Sequence, residues 1–427
     1  RAAAELGVKD LMWFPSASFP CQEPVIELQE QGVVHHIEGS MNGPLGDYCS
    51  RGNMRGMGVL RSHGGRWQAI QDGEVHIDVA VIAAPTADPF GNADGSHGPS
   101  ACGSLGFALA DSIYADHVIV VTDNLVPFPC IPWQIQGNNV DYVVEVDSIG
   151  DPSKIVSGTT QITKSPDRLL IAEYVARFVR DAGIMKDGFS FQAGAGGIAL
   201  AFVQFLKEMM KEAGVKARFV RGGSTQYLVD LLNEGLTDYI LDGQTFDLAG
   251  VASIGEDPRH VMSSPFTSYN YHGKGNFASM VDATVLGATE VDVNFNANVN
   301  THSDGALLHG IGGWQNCLFA GCSILAIPAV RDRIPVLVDE VTTLTGPGEL
   351  IDVVVTERGI AINPLRQDLR DAVAGSDLPI RTIQEIKDEV EGIIGGKPEK
   401  PRLGERPVAV IKWVDGTVLD TVWQVEG

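Results

Sequence analysis

Glu290 is the residue of this sequence with the clearest potential for chemistry. It follows the apolar run DATVLGAT (282–289), and ligands in α/β sheets bind at the carboxyl ends of strands. A carboxylate is ionised at neutral pH, so it can act as a nucleophile without a separate base. Attack on a thioester would give a mixed anhydride, which a thiolate can attack in turn. The alternative is a solvated surface glutamate at the end of a strand.

Two glycine-rich turns precede predicted helices and can bring backbone N–H groups close to a large ligand. The first is in FQAGAGGIAL (191–200), and the second is in GIGGWQNC (310–317), where we predict a helix over CLFAGCSIL. The glycines concerned are Gly194, Gly196, Gly197, Gly310, Gly312 and Gly313. An oxyanion, phosphate or carboxylate would fit either turn, and a purely structural role is the alternative. Dinucleotide binding is weakly indicated, since GAGGIA ends in Ala and no acidic residue follows at the required distance.

An asparagine-rich segment, NFNANVN (294–300), follows Glu290. Alternate positions of an extended strand share one face, so its four asparagines are predicted to point the same way. Asn296 and Asn298 are therefore candidates to donate amide N–H groups to a substrate hydroxyl or carboxylate. Hydrogen bonding between strand ends is the alternative.

Composition indicates a folded protein and argues against several classes of function. The 427 residues are 44% hydrophobic and 20% charged, which favours two globular domains, and no apolar run is long enough to span a membrane. The net charge of −23 argues against a nucleic-acid partner. Six cysteines without a CxxC pair are typical of free thiols in the cytoplasm. Without HxxxH, HExxH or GxSxG patterns, we expect neither a metal site nor a serine-hydrolase site.

The chain contains an internal repeat, which predicts how these residues are positioned. HIDVAVIAAPTADPFGN (76–92) aligns with MVDATVLGATEVDVNFN (280–296) at an offset of 204, with Thr86 opposite Glu290. VIELQEQG (25–32) aligns with LVDLLNEG (228–235), and LGVKDLMWF (6–14) aligns with AGVKARFV (213–220). We predict two related halves, residues 1–155 and 156–427, joined through the segment 150–167. The first half lacks an opening strand and turn like those around residues 189–200, so we expect an N-terminal truncation.

Apolar periodicity within the halves alternates between strand and helix. The predicted strands include VKARFVRGG, DYILDG, DATVLGATEVDV and RIPVLVDEV, and the predicted helices include SPDRLLIAEYVARFV and TQYLVDLLNEG. Strands interleaved with helices predict an α/β fold with mostly parallel sheets flanked by helices.

Long ordered stretches resemble the α subunits of citrate lyase, the citrate CoA-transferase component. They include GPSACGSLGFALADSIYADHVIVVTDNLVP, EVDVNFNANVNTHSDG and RDRIPVLVDEVTTLTGPGELIDVVVTERGIAINPLRQDL. The resemblance implies two domains of the NagB/RpiA/CoA-transferase type. It implies exchange of an acetyl thioester with citrate to give citryl thioester and acetate, alongside separate β (lyase) and γ (acyl carrier) subunits. No tightly bound cofactor is implied, because CoA or the carrier's phosphoribosyl-dephospho-CoA arm is a substrate; a cytoplasmic homo-oligomer is expected.

The resemblance also suggests roles for individual residues. Glu290 falls on the glutamate that attacks acyl-CoA in wider CoA-transferases, and the GIGG turn falls on a loop that lies along CoA. The other glycine turn matches an oxyanion or phosphate contact. Ser303 and Asp304 belong to a retained SDG segment, which makes Asp304 a second catalytic candidate and Ser303 a substrate-binding candidate. Whether Glu290 forms a covalent intermediate or orients a citric–acetic anhydride stays open.

Two departures from the family pattern bear on substrate identity. Where the family has a GGHSDT-like segment, this chain has GGWQN, with Trp314 and Gln315 in place of a His and a Ser. Citramalate or another hydroxy acid is therefore an alternative to citrate. VRDRIP replaces VRGRIP, and it keeps Arg331 and Arg333 as candidates to bind carboxylates, with surface ion pairs as the alternative.

Two other functions are compatible with the residues. One is a stand-alone acyl-CoA transferase or hydrolase that works through a glutamyl-CoA thioester. The other is a non-catalytic sugar-phosphate or effector-binding module on the same fold, since one fold hosts several functions. The presence of Glu290 counts against the non-catalytic module.

Overall fold

The computed structural model describes residues 1–15, 22, 24–155, 160–270 and 276–426. Contacts divide the chain into two compact units. The terminal unit comprises Arg1–Arg66, Leu286–Arg370 and Asp377–Gly427, and the central unit comprises Trp67–Val285 and Asp371–Ser376. These units do not follow the predicted halves, because each combines segments from both. The predicted boundary at residue 155 adjoins residues 156–159, which lie outside the described residues, and it stays a prediction.

The helices are mostly short, and the longest ones belong to the central unit. The described α-helices are α1 Ala2–Glu5, α2 Val25–Glu30, α3 Gly43–Ser50, α4 His63–Gln71, α5 Leu109–Tyr114, α6 Pro166–Asp181, α7 Gly197–Ala213, α8 Gln226–Asn233, α9 Leu248–Glu256, α10 Pro265–Tyr269, α11 Trp314–Cys317, α12 Gln367–Ala372 and α13 Ile383–Ile394. Short 3₁₀ helices span Gly106–Ala108, Gly137–Asn139, Pro152–Lys154, Ala278–Met280 and Gly348–Leu350. No helix in the described part of the chain combines the length and hydropathy of a membrane span.

Most strands are short as well, apart from the last two. They are β1 Leu11–Trp13, β2 Val34–Ile37, β3 Gly58–Leu60, β4 Val79–Ala83, β5 Thr86–Ala87, β6 Ala93–Asp94, β7 His117–Thr122, β8 Tyr142–Glu145, β9 Ser190–Ala193, β10 Phe219–Ser224, β11 Ile240–Thr245, β12 His260–Met262, β13 Ala283–Leu286, β14 Glu290–Asp292, β15 Ala297–Asn298, β16 Ser323–Ala326, β17 Val330–Arg331, β18 Ile334–Pro335, β19 Leu337–Val338, β20 Val353–Thr356, β21 Gly359–Ile362, β22 Leu403–Lys412 and β23 Val418–Val425.

The central unit is built on parallel strands in the order β12-β11-β10-β9-β13, and a second parallel sheet has the order β4-β7-β8. The helix α7 buries Phe202, Leu206 and Met210 completely, because four-residue spacing places them on one face. The helix ends before Gly214, whose φ of +64° favours glycine. The predicted α/β architecture with helix-flanked parallel strands is confirmed.

The terminal unit brings together three distant segments around one hydrophobic core. Its strands are hydrogen-bonded in the orders β23-β22-β3, β15-β14-β19 and β16-β20-β21, with smaller pairs β1-β2 and β17-β18. Leu60, Val291 and Ile411, one from each segment, are each at most 1% exposed in this core. This shared core explains why the beginning and end of the chain join residues 286–370 in one unit.

The internal repeat is confirmed at its glycines. Gly32 and Gly235 both have φ of +73° at the turn after an aligned helix, and each leads into a strand. Gly7 and Gly214 likewise have φ of +74° and +64°. Left-handed backbone at aligned positions means that the aligned segments share their turn geometry as well as their sequence.

The aligned aspartates confirm the repeat independently. Asp88 accepts hydrogen bonds from the backbone and the side-chain amide of Asn92, at 3.2 and 2.8 Å. Asp292 accepts the same two bonds from Asn296, both at 3.0 Å. One copy of this turn belongs to each compact unit.

Three local predictions were wrong. DATVLGATEVDV splits into β13 and β14, and RIPVLVDEV splits into β18 and β19. CLFAGCSIL is not a helix: α11 ends at Cys317 and β16 begins at Ser323. The buried run from Ser323 pairs in parallel with β20, and the Ser323 hydroxyl donates to the carbonyl of Leu350 at 2.6 Å, so tertiary pairing overrides the apparent helical pattern.

Candidate active site

Glu290 begins β14 in the terminal unit and is only 3% exposed. Its Oε2 accepts hydrogen bonds from the Asn298 amide at 3.1 Å and from the Thr342 backbone N–H at 2.8 Å. Its Oε1 accepts one from the Thr342 hydroxyl at 3.1 Å. Three neutral donors therefore hold this buried carboxylate, which compensates for the water that burial removes.

The two oxygens of Glu290 differ in what they can still accept. A carboxylate offers about four lone-pair sites, two on each oxygen. Both sites of Oε2 are used, whereas Oε1 accepts one hydrogen bond and keeps a second site. Within the described residues, no cation forms an ion pair with Glu290. Oε1 is therefore the oxygen with capacity to react with, or accept a hydrogen bond from, a substrate.

A further set of hydrogen bonds fixes the Asn298 side chain, which is fully buried. Its Nδ2 donates to the Thr301 hydroxyl at 2.9 Å as well as to Glu290, and its Oδ1 accepts from the Thr301 backbone at 3.1 Å. The hydroxyls of Thr301 and Thr343 bond to each other at 3.0 Å. Asn298 thus uses its amide hydrogens within the protein and positions Glu290, and its contact with a substrate stays a prediction.

The prediction that the asparagines share one strand face was wrong. Phe295 has φ of +67°, which ends the extended run, and β15 contains only Ala297 and Asn298. Asn296 donates to Asp292 and accepts the N–H of Gly348 at 2.9 Å. Asn296 therefore holds the turn after β14, which is the hydrogen-bonding alternative considered from the sequence.

The GIGG turn contacts residues from the start of the chain within the terminal unit. The Gly310 N–H donates to the Ser40 hydroxyl at 3.0 Å, and the Gly312 carbonyl accepts the N–H of His63 at 2.8 Å. Gly312 has φ of +62°, so a side chain here would strain the backbone. Burial, helped by the nearby Arg66 charge, lowers the pKa of His63 to about 3, so its imidazole is neutral at physiological pH.

Trp314 and Gln315 anchor the same turn. The Trp314 indole N–H donates to the Gly287 carbonyl at 2.8 Å, and the Gln315 amide donates to the Thr345 carbonyl at 3.0 Å. The carbonyl that accepts the indole N–H belongs to Gly287, which lies between β13 and β14, where the predicted single strand is interrupted. The Gln315 Oε1 is buried and accepts no hydrogen bond. Both side chains therefore donate hydrogen bonds within the protein. Their acceptors, Gly287 and Thr345, precede and follow Glu290 in the chain.

Ser303 and Asp304 lie in a turn away from this hydrogen-bond network. Asp304 is exposed, and its carboxylate accepts the backbone N–H of Ala306 at 2.9 Å. Gly305 follows with φ of +90°. In the described ranges no hydrogen bond joins this turn to Glu290, and the catalytic role of Asp304 and the substrate role of Ser303 stay predictions.

The predicted arginines lie at a hairpin. The Arg331 guanidinium donates to the Ala288 carbonyl at 3.1 Å, which ties the hairpin to the residue two before Glu290. Arg333 is exposed in the two-residue turn between β17 and β18, where Asp332 and Arg333 have φ of +48° and +70°. Their binding of a carboxylate stays a prediction.

The first glycine turn forms the predicted strand–turn–helix unit, but in the central unit. The strand β9 ends at Ala193, and Gly196 caps α7 without a side-chain hydrogen bond. A Cβ on Gly194 or Gly196 would meet nothing within 4 Å, whereas one on Gly197 would lie 3.0 Å from the backbone of Thr163. Packing thus requires glycine only at Gly197, and binding by this turn stays a prediction.

The sequence reasoning missed the threonines that hold Glu290. Thr342 lies 52 positions after Glu290, and Thr301 and Thr343 act through Asn298. The run VTTLTGPG offers hydroxyls without a motif that would mark them. Among the described residues, the one group that could hold a metal is the exposed set of His76, Asp78 and Asp116, which includes none of these residues.

The parallel strands flanked by helices, the buried carboxylate at the start of β14 and the glycine turns fit a protein of the CoA-transferase fold class. The family model "Citrate lyase, alpha subunit (CitF)" matches residues 1–425, and the chain belongs to this family. The citrate lyase alpha chain of Haemophilus influenzae is 40% identical over 425 residues, which cover 99% of this chain and 85% of that protein.

Solved structures agree with this assignment. The citrate lyase alpha subunit of Streptococcus mutans, solved in complex with citrate, matches with a TM-score of 0.97 and 43% identity, over 100% of this chain and 84% of that one. A malonate decarboxylase hetero-tetramer from Pseudomonas matches with a TM-score of 0.65 and 18% identity, over 92% and 86% of the two chains, which shows a shared fold. The predicted family, fold class and citrate CoA-transferase assignment are confirmed.

Proposed function

We propose that this chain transfers the thiol of a carrier protein, or CoA, from its acetyl thioester to citrate, which gives citryl thioester and acetate. Glu290 acts as the nucleophile. The observation that carries the proposal is the buried carboxylate, which is held by three neutral donors with one acceptor site left on Oε1. Such fixation orients the attacking oxygen before the thioester arrives. The family supports citrate as the acid.

The reaction follows from attack by Oε1 on the acetyl carbonyl. The C–S bond breaks, the thiolate leaves, and a glutamyl–acetyl anhydride forms. The thiolate attacks the glutamyl carbonyl and releases acetate, which leaves a glutamyl thioester. A citrate carboxylate then attacks the glutamyl carbonyl and expels the thiolate, which attacks the citryl carbonyl of the new anhydride. Citryl thioester leaves, and the Glu290 carboxylate is regenerated.

Glu290→Gln tests this role and should change the structure of the site little. The amide oxygen can occupy the place of Oε2 and accept from Asn298 and Thr342, while the amide N–H₂ donates to the Thr342 hydroxyl, which can also accept. We expect citryl-CoA formation from acetyl-CoA and citrate to fall by about 100-fold or more. Glu340→Gln is the matched control, because Glu340 is an exposed carboxylate paired with Lys400. Wild-type turnover by Glu290→Gln would remove Glu290 from the mechanism.

Covalent attack and direct citric–acetic anhydride formation predict different products at Glu290. After incubation with acetyl-CoA alone, borohydride or hydroxylamine treatment should modify Glu290 in peptide mass mapping. An unmodified Glu290 in an enzyme that turns over normally would assign it an orienting role instead. Citramalate should be assayed beside citrate, since turnover of citramalate alone would reject citrate as the substrate.

The remaining parts of the proposal concern the setting of the reaction. CoA, or the phosphoribosyl-dephospho-CoA arm of a γ subunit, acts as substrate, with no tightly bound cofactor. A β subunit cleaves the citryl thioester. This chain forms a homo-oligomer, which assembles with its partner subunits in the cytoplasm. In the described residues, Cys49, Cys102, Cys130, Cys317 and Cys322 are free thiols, which suits a reducing compartment. Faster turnover with acetylated carrier than with acetyl-CoA would support the carrier as the natural donor.

A further inference from the structure

Three side chains of the terminal unit, Asn300, Thr345 and Gln315, hold the GIGG turn at its base, and we call them the clamp. All three are completely buried. The Thr345 hydroxyl donates to Oδ1 of Asn300 at 2.9 Å, and the Thr345 carbonyl accepts the Gln315 amide N–H at 3.0 Å. Asn300 precedes the turn in the chain, and Gln315 follows it. The clamp therefore closes the loop of chain that contains the turn.

Asn300 connects the clamp to the residues that lead into the turn. Its Nδ2 donates to the His309 carbonyl at 3.0 Å, and its own carbonyl accepts the N–H of Leu308 at 2.8 Å. Gly310 comes next, and its N–H donates to the Ser40 hydroxyl. These bonds fix the path of the chain immediately before the turn, where glycines offer no side chain that could pack.

The clamp is also joined to the side chain that holds Glu290. The Asn300 backbone N–H donates to Oδ1 of Asn298 at 3.1 Å, and Nδ2 of Asn298 donates to Glu290. The Thr345 hydroxyl accepts the N–H of Val299 at 3.1 Å, so this hydroxyl makes one hydrogen bond as donor and one as acceptor. A continuous network of buried hydrogen bonds thus runs from the proposed nucleophile to the turn.

We infer that Thr345 and Asn300 are positioning residues, which hold the GIGG turn in the conformation that receives the thioester arm of CoA. This inference rests on the proposed transferase function and on the predicted contact of the turn with CoA. The glycines of the turn are only partly buried, so a ligand can reach their backbone. A glycine turn has many accessible conformations, and a clamp that restricts them in advance lowers the entropic cost of binding. Loss of the clamp should therefore weaken binding of the thioester more than it slows the attack on it.

The test compares Thr345→Val with Thr345→Ser. Valine keeps the shape of threonine and removes the hydroxyl, whereas serine retains the hydroxyl and both of its hydrogen bonds. We expect Thr345→Val to raise the KM for acetyl-CoA about 5- to 30-fold, because two buried partners lose their hydrogen bonds. Its kcat and its KM for citrate should stay within about threefold of wild type, and Thr345→Ser should resemble wild type in all three values. CoA should also raise the Tm of Thr345→Val less than that of wild type.

Thr356→Val is the matched control for the loss of a buried hydroxyl. Thr356 is as completely buried as Thr345, and its hydroxyl donates to the Gly359 carbonyl at 3.1 Å and accepts the N–H of Arg358 at 3.0 Å. It belongs to the β20–β21 hairpin of the same unit, and within the described ranges no hydrogen bond joins it to the clamp. We expect Thr356→Val to lower the Tm about as much as Thr345→Val does, with an unchanged KM for acetyl-CoA.

Three results would overturn the inference. An unchanged KM for acetyl-CoA in Thr345→Val would assign the clamp to stability alone. An equal rise of this KM in Thr356→Val would show a general loosening of the unit, and a fall in kcat alone would place the effect at Glu290. Should Thr345→Val not fold, Gln315→Leu decides by the same KM values. That substitution removes the bond to the Thr345 carbonyl together with an acceptor that is already unsatisfied, so it should cost little stability.

Failure of the proposed function gives a different result. Wild-type protein that binds CoA but forms no citryl-CoA would reject the transferase proposal. The CoA-induced rise in Tm of wild type, Thr345→Val and Thr356→Val would still show whether the clamp positions the turn for CoA. Wild-type protein whose Tm does not respond to CoA would overturn the inference.

Discussion

Thr342→Val should slow turnover strongly while leaving the fold intact. Thr342 contacts both oxygens of Glu290, with its backbone N–H at 2.8 Å from Oε2 and its hydroxyl at 3.1 Å from Oε1. Valine keeps the volume and the β-branch of threonine, so the substitution removes the hydroxyl donor and keeps the backbone donor. The perturbation therefore affects the one oxygen that the proposed mechanism uses for attack.

The magnitude follows from the kind of hydrogen bond that is lost. A hydrogen bond to a charged group contributes about 1.5–3 kcal/mol. If that energy holds Oε1 in its reactive orientation, its loss lowers kcat by roughly 10- to 100-fold, since about 1.4 kcal/mol corresponds to tenfold. The KM for citrate should change little, because the hydroxyl orients Glu290 rather than the acid. Thr342→Ser retains the hydroxyl and should recover most of the activity.

The assay is citryl-CoA formation at saturating acetyl-CoA, with Tm measured on each variant. The decisive control is a double-mutant cycle with Glu290→Gln. In that background Thr342→Val should have little further effect, because the two residues act as a unit. A wild-type kcat for Thr342→Val, or an equal loss in both backgrounds, would refute the argument that the hydroxyl works through Glu290.

Two further predictions concern stability. Arg333→Gly should stabilise the protein by about 0.5–1 kcal/mol in denaturant unfolding. The left-handed φ of +70° is unfavourable for arginine, and this cost exceeds the entropy that glycine loses when the chain folds. Equal or lower stability of Arg333→Gly would contradict this prediction. Hydrogen bonds from Lys387 and Lys397 lower the pKa of Asp339 to about 2. A lowered carboxyl pKa stabilises the fold above the unfolded value of about 4, and that contribution is lost as the pH falls towards 2. The Tm difference between wild type and Asp339→Asn should therefore shrink below pH 4, and a constant difference would contradict the assignment.

The sequence predicted the elements whose cause is local. The offsets of the repeat placed Gly32 opposite Gly235 and Asp88 opposite Asp292, and the structure gives each pair the same backbone or hydrogen-bond geometry. A left-handed turn after a helix and an aspartate that accepts from an asparagine four residues later are both determined within a few residues. Spacing along the chain is sufficient evidence for such features.

The features that the sequence did not predict depend on distant contacts. Thr342 reaches Glu290 across 52 positions, and no spacing rule connects them. Asn298 looked like a free donor because its partner Thr301 cannot be read from alternation. Arg221 lies within the predicted strand VKARFVRGG, and the lack of an acceptor for its Nε and Nη1 is visible only in three dimensions. These are consequences of tertiary contact, which a single sequence does not encode locally.

The two copies of the repeat show how one backbone frame supports different chemistry. In the central unit Thr86 pairs with Asp94, and in the terminal unit Glu290 pairs with Asn298 at the equivalent position of the same two-strand ladder. The acidic group is thus on opposite strands in the two copies. The Oδ2 of Asp94 accepts hydrogen bonds from the backbone and the ring of His97, whereas Glu290 is held by neutral donors on both of its oxygens. Because the turn that connects the two strands of each ladder is the same in both copies, the shared backbone accounts for the position of Glu290, and the exchange of residue types across the ladder places the carboxylate on its first strand.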